Sequence, residues 1–101
     1  MHPEIDHMLK EVARTTGRPY SVVERVLQNC VDAMECGVSL IVSEDGSLTA
    51  ASTKDGAKLP ASLEDDINAR YDDMVELIDP ILRAIRRLAA SRGLLRGTAA
   101  N

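Results

Sequence analysis

Histidine and cysteine, two of the residue types that most often perform catalysis or bind transition metals, occur only twice each in this sequence. His2 and His7 stand near the start of the chain, with Glu4, Asp6 and Glu11 as acidic neighbours. Imidazole and carboxylate groups are zinc ligands, but a structural zinc site needs four of them to converge. A terminal site built from these groups is the one metal chemistry that the residues offer, and we expect no bound metal.

The two cysteines, Cys30 and Cys36, fall within one predicted helix at a spacing of six residues. Six steps of about 100° give roughly 600° of rotation, so the two thiols point to different faces. A disulfide between them is therefore not expected. We interpret both as small apolar residues that fill the interior and stay reduced.

The remaining candidates for chemistry are carboxylates and glycine-containing turns. The acids at 64–66 and 72–73 fall largely on the outer face of a predicted helix, where solvation is expected and not an acid–base dyad. The Asp-Gly pairs at 45–46 and 55–56 are turn signals and lack the spacing of phosphate-binding loops. No nucleophile, base and orienting group stand together. We predict a protein that is not an enzyme, without cofactor, metal or small-molecule substrate.

Length and composition limit the class of protein further. The 101 residues suit one domain. Tyr20 and Tyr71 are the only aromatic residues, so the core must be aliphatic, and a stacking platform for single-stranded nucleic acid is not expected. No apolar run approaches the roughly 20 residues of a membrane span, and the first residues lack a secretory pattern. We expect a protein of the cytoplasm without membrane contact.

The elements that must position any binding residues begin with two helices. Apolar residues recur at helical spacing through residues 4–16 and again from Pro19 to about Glu35. Gly17 and Gly37 are typical of the residues that end helices. These two stretches therefore predict a helical pair with a short connection.

The apolar pattern then changes to a period of two. Residues 38–42 alternate as a half-buried strand does, residues 44–47 contain the Asp-Gly pair of a tight turn, and residues 48–51 return. Residues 52–60 form a loop. One small antiparallel β-hairpin is predicted.

Two more helices follow. Ser62 with Asp65 three residues later resembles a capped helix start. Asp79 before Pro80 resembles an N-cap followed by proline at the first helical position, which predicts that the fourth helix starts there. We predict an α+β fold, mainly α, in the order α-α-β-β-α-α.

All predicted elements fall in a single domain over residues 1–97. It divides into a helical pair (1–36), the hairpin with its loop (37–60) and a second helical pair (61–97), followed by a flexible tail (98–101).

Charge is strongly segregated along the second half of the chain. Residues 61–79 carry seven acids against Arg70, whereas residues 80–101 carry five arginines and no acid. One interpretation is that the two stretches neutralise each other, within one chain or across a dimer. The other is that the basic stretch contacts nucleic acid or an acidic partner.

Residues 12–27, which read VARTTGRPYSVVERVL, combine features of a helix-turn-helix. Ala13 is small enough for two helices to cross closely, Gly17 makes the turn, and Val23 and Val26 face the core. The stretch resembles the helix-turn-helix of lac-repressor-type regulators. The resemblance implies DNA contacts from one set of side chains: Arg14, Tyr20, Ser21, Arg25, Gln28 and Asn29. The alternative is an ordinary helical hairpin.

The second predicted helix runs on unbroken toward the hairpin, which is similar to the arrangement of the HU family. The long basic β-arms of that family are missing here, so HU-type bending of DNA is not expected.

A second pattern covers residues 22–90 and centres on three short segments, at 37–40 (GVSL), 46–48 (GSL) and 59–63 (LPASL). It resembles the TubC-type N-terminal docking domain of peptide and polyketide megasynthases. The resemblance implies a dimer whose exposed hairpin strand captures a partner's tail by strand addition. The residues implied in docking are Leu48, Thr49, Ala50, Ala51, Lys54 and Lys58. The alternative is a hairpin that only packs on its own helices.

The leading hypothesis from the sequence is therefore a dimeric helix-turn-helix protein that binds DNA and regulates transcription. The close alternative is an adaptor that docks a protein partner on its hairpin edge. A third hypothesis is a phage- or plasmid-type accessory protein that binds a host complex. A homodimer is expected because the predicted stripes expose more apolar surface than one chain of this size covers.

Overall fold

The computed structural model describes residues 2–92 and confirms the predicted class and order. The fold is mainly helical, with one two-stranded antiparallel sheet. The predicted end of the last helix at residue 97 and the predicted tail at 98–101 lie outside the described residues. The elements are α1 (Pro3–Thr16), α2 (Tyr20–Glu35), β1 (Val38–Val42), β2 (Leu48–Ser52), α3 (Ala61–Ala69) and α4 (Tyr71–Ser91).

The connection between α1 and α2 follows from local chemistry. Gly17 adopts a left-handed φ of 73°, and its N–H donates to the carbonyl of Ala13 at 3.0 Å. Glycine reaches this conformation without the steric cost that a side chain incurs. Pro19, with its fixed φ, directly precedes α2, so the chain reverses within three residues.

The helices pack against one face of the hairpin, and mainly against β1. Val38 pairs with Ser52, and the register continues through Leu40 and Ala50 to the turn. Successive side chains of a strand alternate between faces, and Val38 and Leu40 are buried against the helices. Their cross-strand neighbours Ala50 and Ser52 share that face but stay exposed, because the helices cover β1 and not this part of β2.

Helix α4 is the centre of the core. Its apolar face packs against α1, α2 and β1, and α3 lies at its N-terminal end. Most of the buried side chains are aliphatic, as the composition predicts. The largest fully buried residues are Leu9, Val23, Val26, Asn29, Met74, Leu77, Ile78 and Ile81.

The boundary between the last two helices differs from the prediction. The break falls at Arg70, and α4 continues through Pro80 instead of starting there. Proline in a helix interior removes one backbone hydrogen bond and crowds the preceding turn. Here Ile78 and Ile81 are buried in the same core on either side of it, so packing holds the helix continuous. The predicted Ser62 cap is also wrong, since α3 starts at Ala61 without a side-chain cap.

The predicted neutralisation between residues 61–79 and the basic stretch is not found within the described chain. No ion pair there joins the two. Arg18, from the connection between α1 and α2, instead pairs with Asp73 and Glu76 on α4. Among the described residues, the other ion pair between positions distant in the sequence joins Arg92 to Glu4, at 3.0 Å.

Candidate functional site

Two of the six residues implied in DNA contact are held inside the fold. Asn29 is only 2% exposed, and its Nδ2 lies 3.6 Å from the sulfur of Met74 on α4. Tyr20 is half-buried, and its hydroxyl donates a 2.6 Å hydrogen bond to Asp6 on α1. The placement of Asn29 on the exposed face of the second helix is therefore wrong. Tyr20 serves to join α1 to α2.

The Tyr20–Asp6 hydrogen bond also shifts both acidities. It raises the pKa of Tyr20 from 10.0 to about 12, because the phenol proton is held by the carboxylate. The same bond is the main cause of a lowered pKa for Asp6, with Lys10 at 3.0 Å acting in the same direction. Over the neutral pH range Tyr20 therefore stays protonated and Asp6 stays ionised, so the hydrogen bond between them is kept.

The other four implied residues are exposed: Arg14, Ser21, Arg25 and Gln28. Two of these already have intramolecular partners. Arg14 is paired with Glu11 one turn earlier, and the Gln28 amide donates to Asp32 at 2.8 Å. The side chain of Ser21 has no hydrogen bond among the described residues. Arg25 forms no side-chain hydrogen bond or ion pair there, but it lies close enough to Asp66 on α3 to help lower the pKa of that carboxyl.

The charge of α2 works against phosphate binding. The helix carries Glu24, Asp32 and Glu35 against Arg25 alone. A protein that binds DNA gains most of its affinity by neutralising phosphates with Lys and Arg. This surface would instead bring additional negative charge to the duplex.

At the hairpin, the polar groups that remain free belong to the backbone. In an antiparallel pair, opposed residues alternate between exchanging hydrogen bonds and not exchanging them. Ser43 donates to Ser47 at 2.8 Å and Thr53 donates to Gly37 at 2.7 Å, which fixes that alternation along the hairpin. The N–H and C=O groups of Ala50 therefore point outward, away from β1.

Along the outward edge of β2, only the start of the strand has a hydrogen-bond partner among residues 2–92. The N–H of Leu48 donates to the hydroxyl of Tyr71 at 3.2 Å. Neither backbone group of Ala50 has a hydrogen-bond partner among residues 2–92. Within the same range, no hydrogen bond from residues 80–92 reaches the strand. β2 is thus an edge strand open to a further strand from Ala50 onward.

The loop after β2 is held firmly against the hairpin. The hydroxyl of Ser52 donates to the carbonyl of Ala57 at 2.9 Å. Gly37 has a φ of 81°, and a Cβ there would lie 3.1 Å from that of Ala57. Lys54 and Lys58 are exposed on this loop and form no ion pair with the other described residues. They therefore add an available positive charge beside the open edge.

Two clefts lie on the core-facing side of β2 and share Ala50, Leu59 and Glu64 as walls. The first, of about 180 Å³, is closed by Ile67 and Tyr71, among others. The second, of about 250 Å³, includes Lys58 and Ser52.

The residues of α3 and α4 that line these clefts were missed as site residues from the sequence. Leu59 and Ile67 do fall in the segment that resembles the docking domain. That local motif was the only signal for them in the sequence, because the long-range packing is not visible there.

Comparisons with protein-family models, with curated proteins and with solved structures give no match. Within residues 2–92, no helix is long and apolar enough to cross a membrane. In the same range, no three His, Cys, Asp or Glu side chains converge as metal ligands. His2, one of the candidates, accepts the N–H of Glu4 at the start of α1. Cys30 lies partly in the core, where burial raises its pKa to about 11, and Cys36 follows the end of α2.

Proposed function

We propose that this protein is a peptide-docking adaptor that binds an extended segment of a partner protein by strand addition to β2. The observation that carries the proposal is the outward backbone of Ala50 on an edge strand, which has no hydrogen-bond partner among residues 2–92. An extended peptide that pairs with such an edge gains main-chain hydrogen bonds, and side-chain pockets beside the edge provide selectivity.

The residues of β2 suit this role. Thr49, Ala50, Ala51 and Ser52 are small, so a partner backbone can approach the edge without displacing side chains. A two-stranded sheet is marginal by itself and gains stability from a third strand. Proteins often protect such edges with charged residues or proline, and β2 has neither.

The surroundings of the edge indicate the chemistry of the partner segment. Alternate side chains of an added strand would point toward the two clefts, one bounded by the apolar Leu59 and Ile67. The exposed ammonium groups of Lys54 and Lys58 favour an acidic residue at the loop end of the edge, beside the second cleft, whereas Glu64 disfavours one beside the first. We therefore expect an extended segment that combines an aliphatic side chain with an acidic one.

DNA binding through α2 is the less favoured proposal, because Asn29 is buried and the helix carries a net negative charge. Arg25 and Ser21 are the side chains that remain available to it. The experiment below includes a duplex arm for this reason.

The test selects peptides from a displayed random decapeptide library on the immobilised full chain. The binders are then measured against Ala50→Pro, which removes the outward N–H, and against Ala50→Ser, which keeps it. Proline at an outward edge position costs no hairpin hydrogen bond, and circular dichroism checks that the fold is retained. We expect Ala50→Pro to weaken binding at least tenfold and Ala50→Ser to leave it within about twofold, given one or two lost hydrogen bonds.

Amide exchange and a labelled duplex complete the design. Bound peptide should slow exchange at the amides of Ala50 and Ser52. Peptides that bind Ala50→Pro as tightly as the unaltered protein would contradict strand addition. A mixed-sequence duplex that binds at low salt, and binds more weakly to Arg25→Ala, would support the DNA proposal instead.

A further inference from the structure

One flank of α4 is apolar and lies beyond the covered core. Leu82 and Ile85 are 37% and 36% exposed, and Val75 and Ala89 are half-buried. At about 100° per residue, Val75, Leu82 and Ala89 recur every seven positions and fall on one line along the helix. This line, which we call the α4 flank, runs beside the buried stripe that contains Ile81.

The α4 flank has a charged rim with the same spacing of seven residues. Asp72 and Asp79 stand in the first half of the helix and Arg86 in the second. None of the three forms an ion pair with another described residue. The acids that do pair on this helix, Asp73 and Glu76, lie on the opposite side and contact Arg18. The rim therefore keeps charges of both signs available.

We propose that the α4 flank is the interface with a second copy of this chain, packed as an antiparallel helix pair about a two-fold axis. In such an interface the same patch of each subunit meets the other. An antiparallel pairing centred near Leu82 places Asp79 against the partner's Arg86, and Arg86 against the partner's Asp79. A parallel pairing would put the two rims on opposite sides of the interface, so that Asp79 and Arg86 would not meet.

The charge order along the helix is what selects a second copy as the occupant. The rim carries an acid, Asp79, and a base, Arg86, on either side of Leu82, so these two positions are complementary to themselves when the helix is reversed. Stripes repeating every seven residues are typical of helix pairs that pack side by side. The apolar surface also continues past Ala89 into a groove with Ile5 and Leu88, which enlarges the area that a partner would cover. The inference does not depend on the docking proposal, since the open edge of β2 belongs to a different part of the fold.

The test uses sedimentation equilibrium on the full chain, with circular dichroism as the check on folding. The unaltered protein should sediment as a dimer. Leu82→Glu should raise the dissociation constant at least a hundredfold, because it buries a charge at the centre of the interface. Asp79→Arg and Arg86→Asp should each raise it at least tenfold, since each places like charges together twice per dimer. The double variant Asp79→Arg/Arg86→Asp should restore association to within about threefold, because both pairs are re-formed in reverse.

The control is Arg87→Ala, on the side of α4 that faces Glu11, which should leave the dimer unchanged. A monomer at every concentration would overturn the proposal, and so would a double variant no better than its singles. A dimer that is lost in Leu94→Lys/Leu95→Lys but kept in Leu82→Glu would assign the contact to residues beyond 92 and also overturn it. Peptide binding by the monomeric Leu82→Glu variant is scored separately, so failure of the dimer and failure of docking are distinguishable.

Discussion

The two regions that the sequence marks as binding sites use their polar groups differently. In the α1–α2 pair, the side chains of Tyr20 and Asn29 are used inside the fold, to join α2 to α1 and to α4. In the hairpin, the side chains of β2 are small, and the available groups are those of the backbone at Ala50. The α1–α2 pair has the residue types of a DNA-binding helix-turn-helix, yet Tyr20 and Asn29 form their contacts inside the fold.

A polar residue on an amphipathic helix can be buried on the apolar face. Asn29 falls at helical spacing with Val26 and Ala33, and all three are buried. A strand edge is different, because its main-chain groups exist whatever the side chains are. Exposure of the edge depends only on whether another element covers it.

The largest expected effect tests whether Asn29 really lies in the core. Asn29→Asp should lower the free energy of unfolding by about 3 kcal/mol, because it buries a charge without a compensating partner. Asp66 is close enough to interact with residue 29, so repulsion adds to the cost. Urea denaturation followed by circular dichroism measures the change. Gln28→Glu, one residue earlier and exposed, is the matched control; it replaces the hydrogen bond to Asp32 with a solvated like-charge contact and should cost no more than about 1 kcal/mol. Equal effects at the two positions would place Asn29 on the surface.

Much of the fold could be predicted from the sequence because local signals and packing agree there. Gly17 and Gly37 end α1 and α2 as expected, and the change from helical to alternating spacing at Val38 marks the hairpin. The position of the last helix break could not be predicted. Asp79-Pro80 is a strong local start signal, and it is overridden because the apolar stripe of α4 is buried on both sides of Pro80.

The candidate site was less predictable, for a physical reason. β2 and its lysines could be named from turn chemistry and local motif. Glu64 from α3 and Tyr71 from α4 form walls of the clefts beside β2. These residues come close to β2 only through long-range packing. The same limit applies to Arg18, whose partners Asp73 and Glu76 are more than fifty residues away in the chain.

A pair of glycine substitutions compares the connection between α1 and α2, at Gly17, with the connection between α2 and β1, at Gly37. Gly17 and Gly37 both have positive φ, but a Cβ at Gly17 meets nothing within 4 Å, whereas one at Gly37 meets Ala57 at 3.1 Å. Gly17→Ala should cost about 1 kcal/mol for the backbone alone. Gly37→Ala should cost about 2 kcal/mol, since the loop must also shift. Denaturant midpoints measure both. Equal costs would mean that the loop at 54–57 is not held against the hairpin.

The contact of Arg18 with α4 should have a moderate effect. Arg18→Ala removes the ion pairs to Asp73 and Glu76 and should cost about 1 kcal/mol, the upper end for partly exposed pairs. The loss should shrink with added salt, because screening already weakens the pairs in the unaltered protein. Arg14→Ala, which breaks only a local pair with Glu11, is the control and should change the midpoint less. A larger effect at Arg14 would contradict the role assigned to Arg18.

The smallest effect concerns the pH dependence of the Tyr20–Asp6 contact. The lowered pKa of Asp6 contributes stability above its ordinary value of 3.8, and this contribution is lost as the pH falls through the lowered value. The pKa of Tyr20, raised from 10.0 to about 12, contributes stability below pH 10.0 that is lost as the pH rises toward 12. Tyr20→Phe removes the Tyr20 contribution and the largest part of the Asp6 contribution, while Lys10 continues to lower the pKa of Asp6. Its deficit should therefore be constant through neutral pH and should close at both extremes.

Urea midpoints across the pH range measure that deficit, and a double-mutant cycle with Asp6→Asn isolates the pair. The sum of the two single losses should exceed the loss in the double variant, because either substitution already breaks the hydrogen bond. Absorbance titration of the phenols should also lose its step near pH 12 in Tyr20→Phe. Additive losses, or a deficit unchanged below pH 4, would mean that Tyr20 is not bonded to Asp6. The contrast between an occupied helix pair and an open strand edge would then narrow.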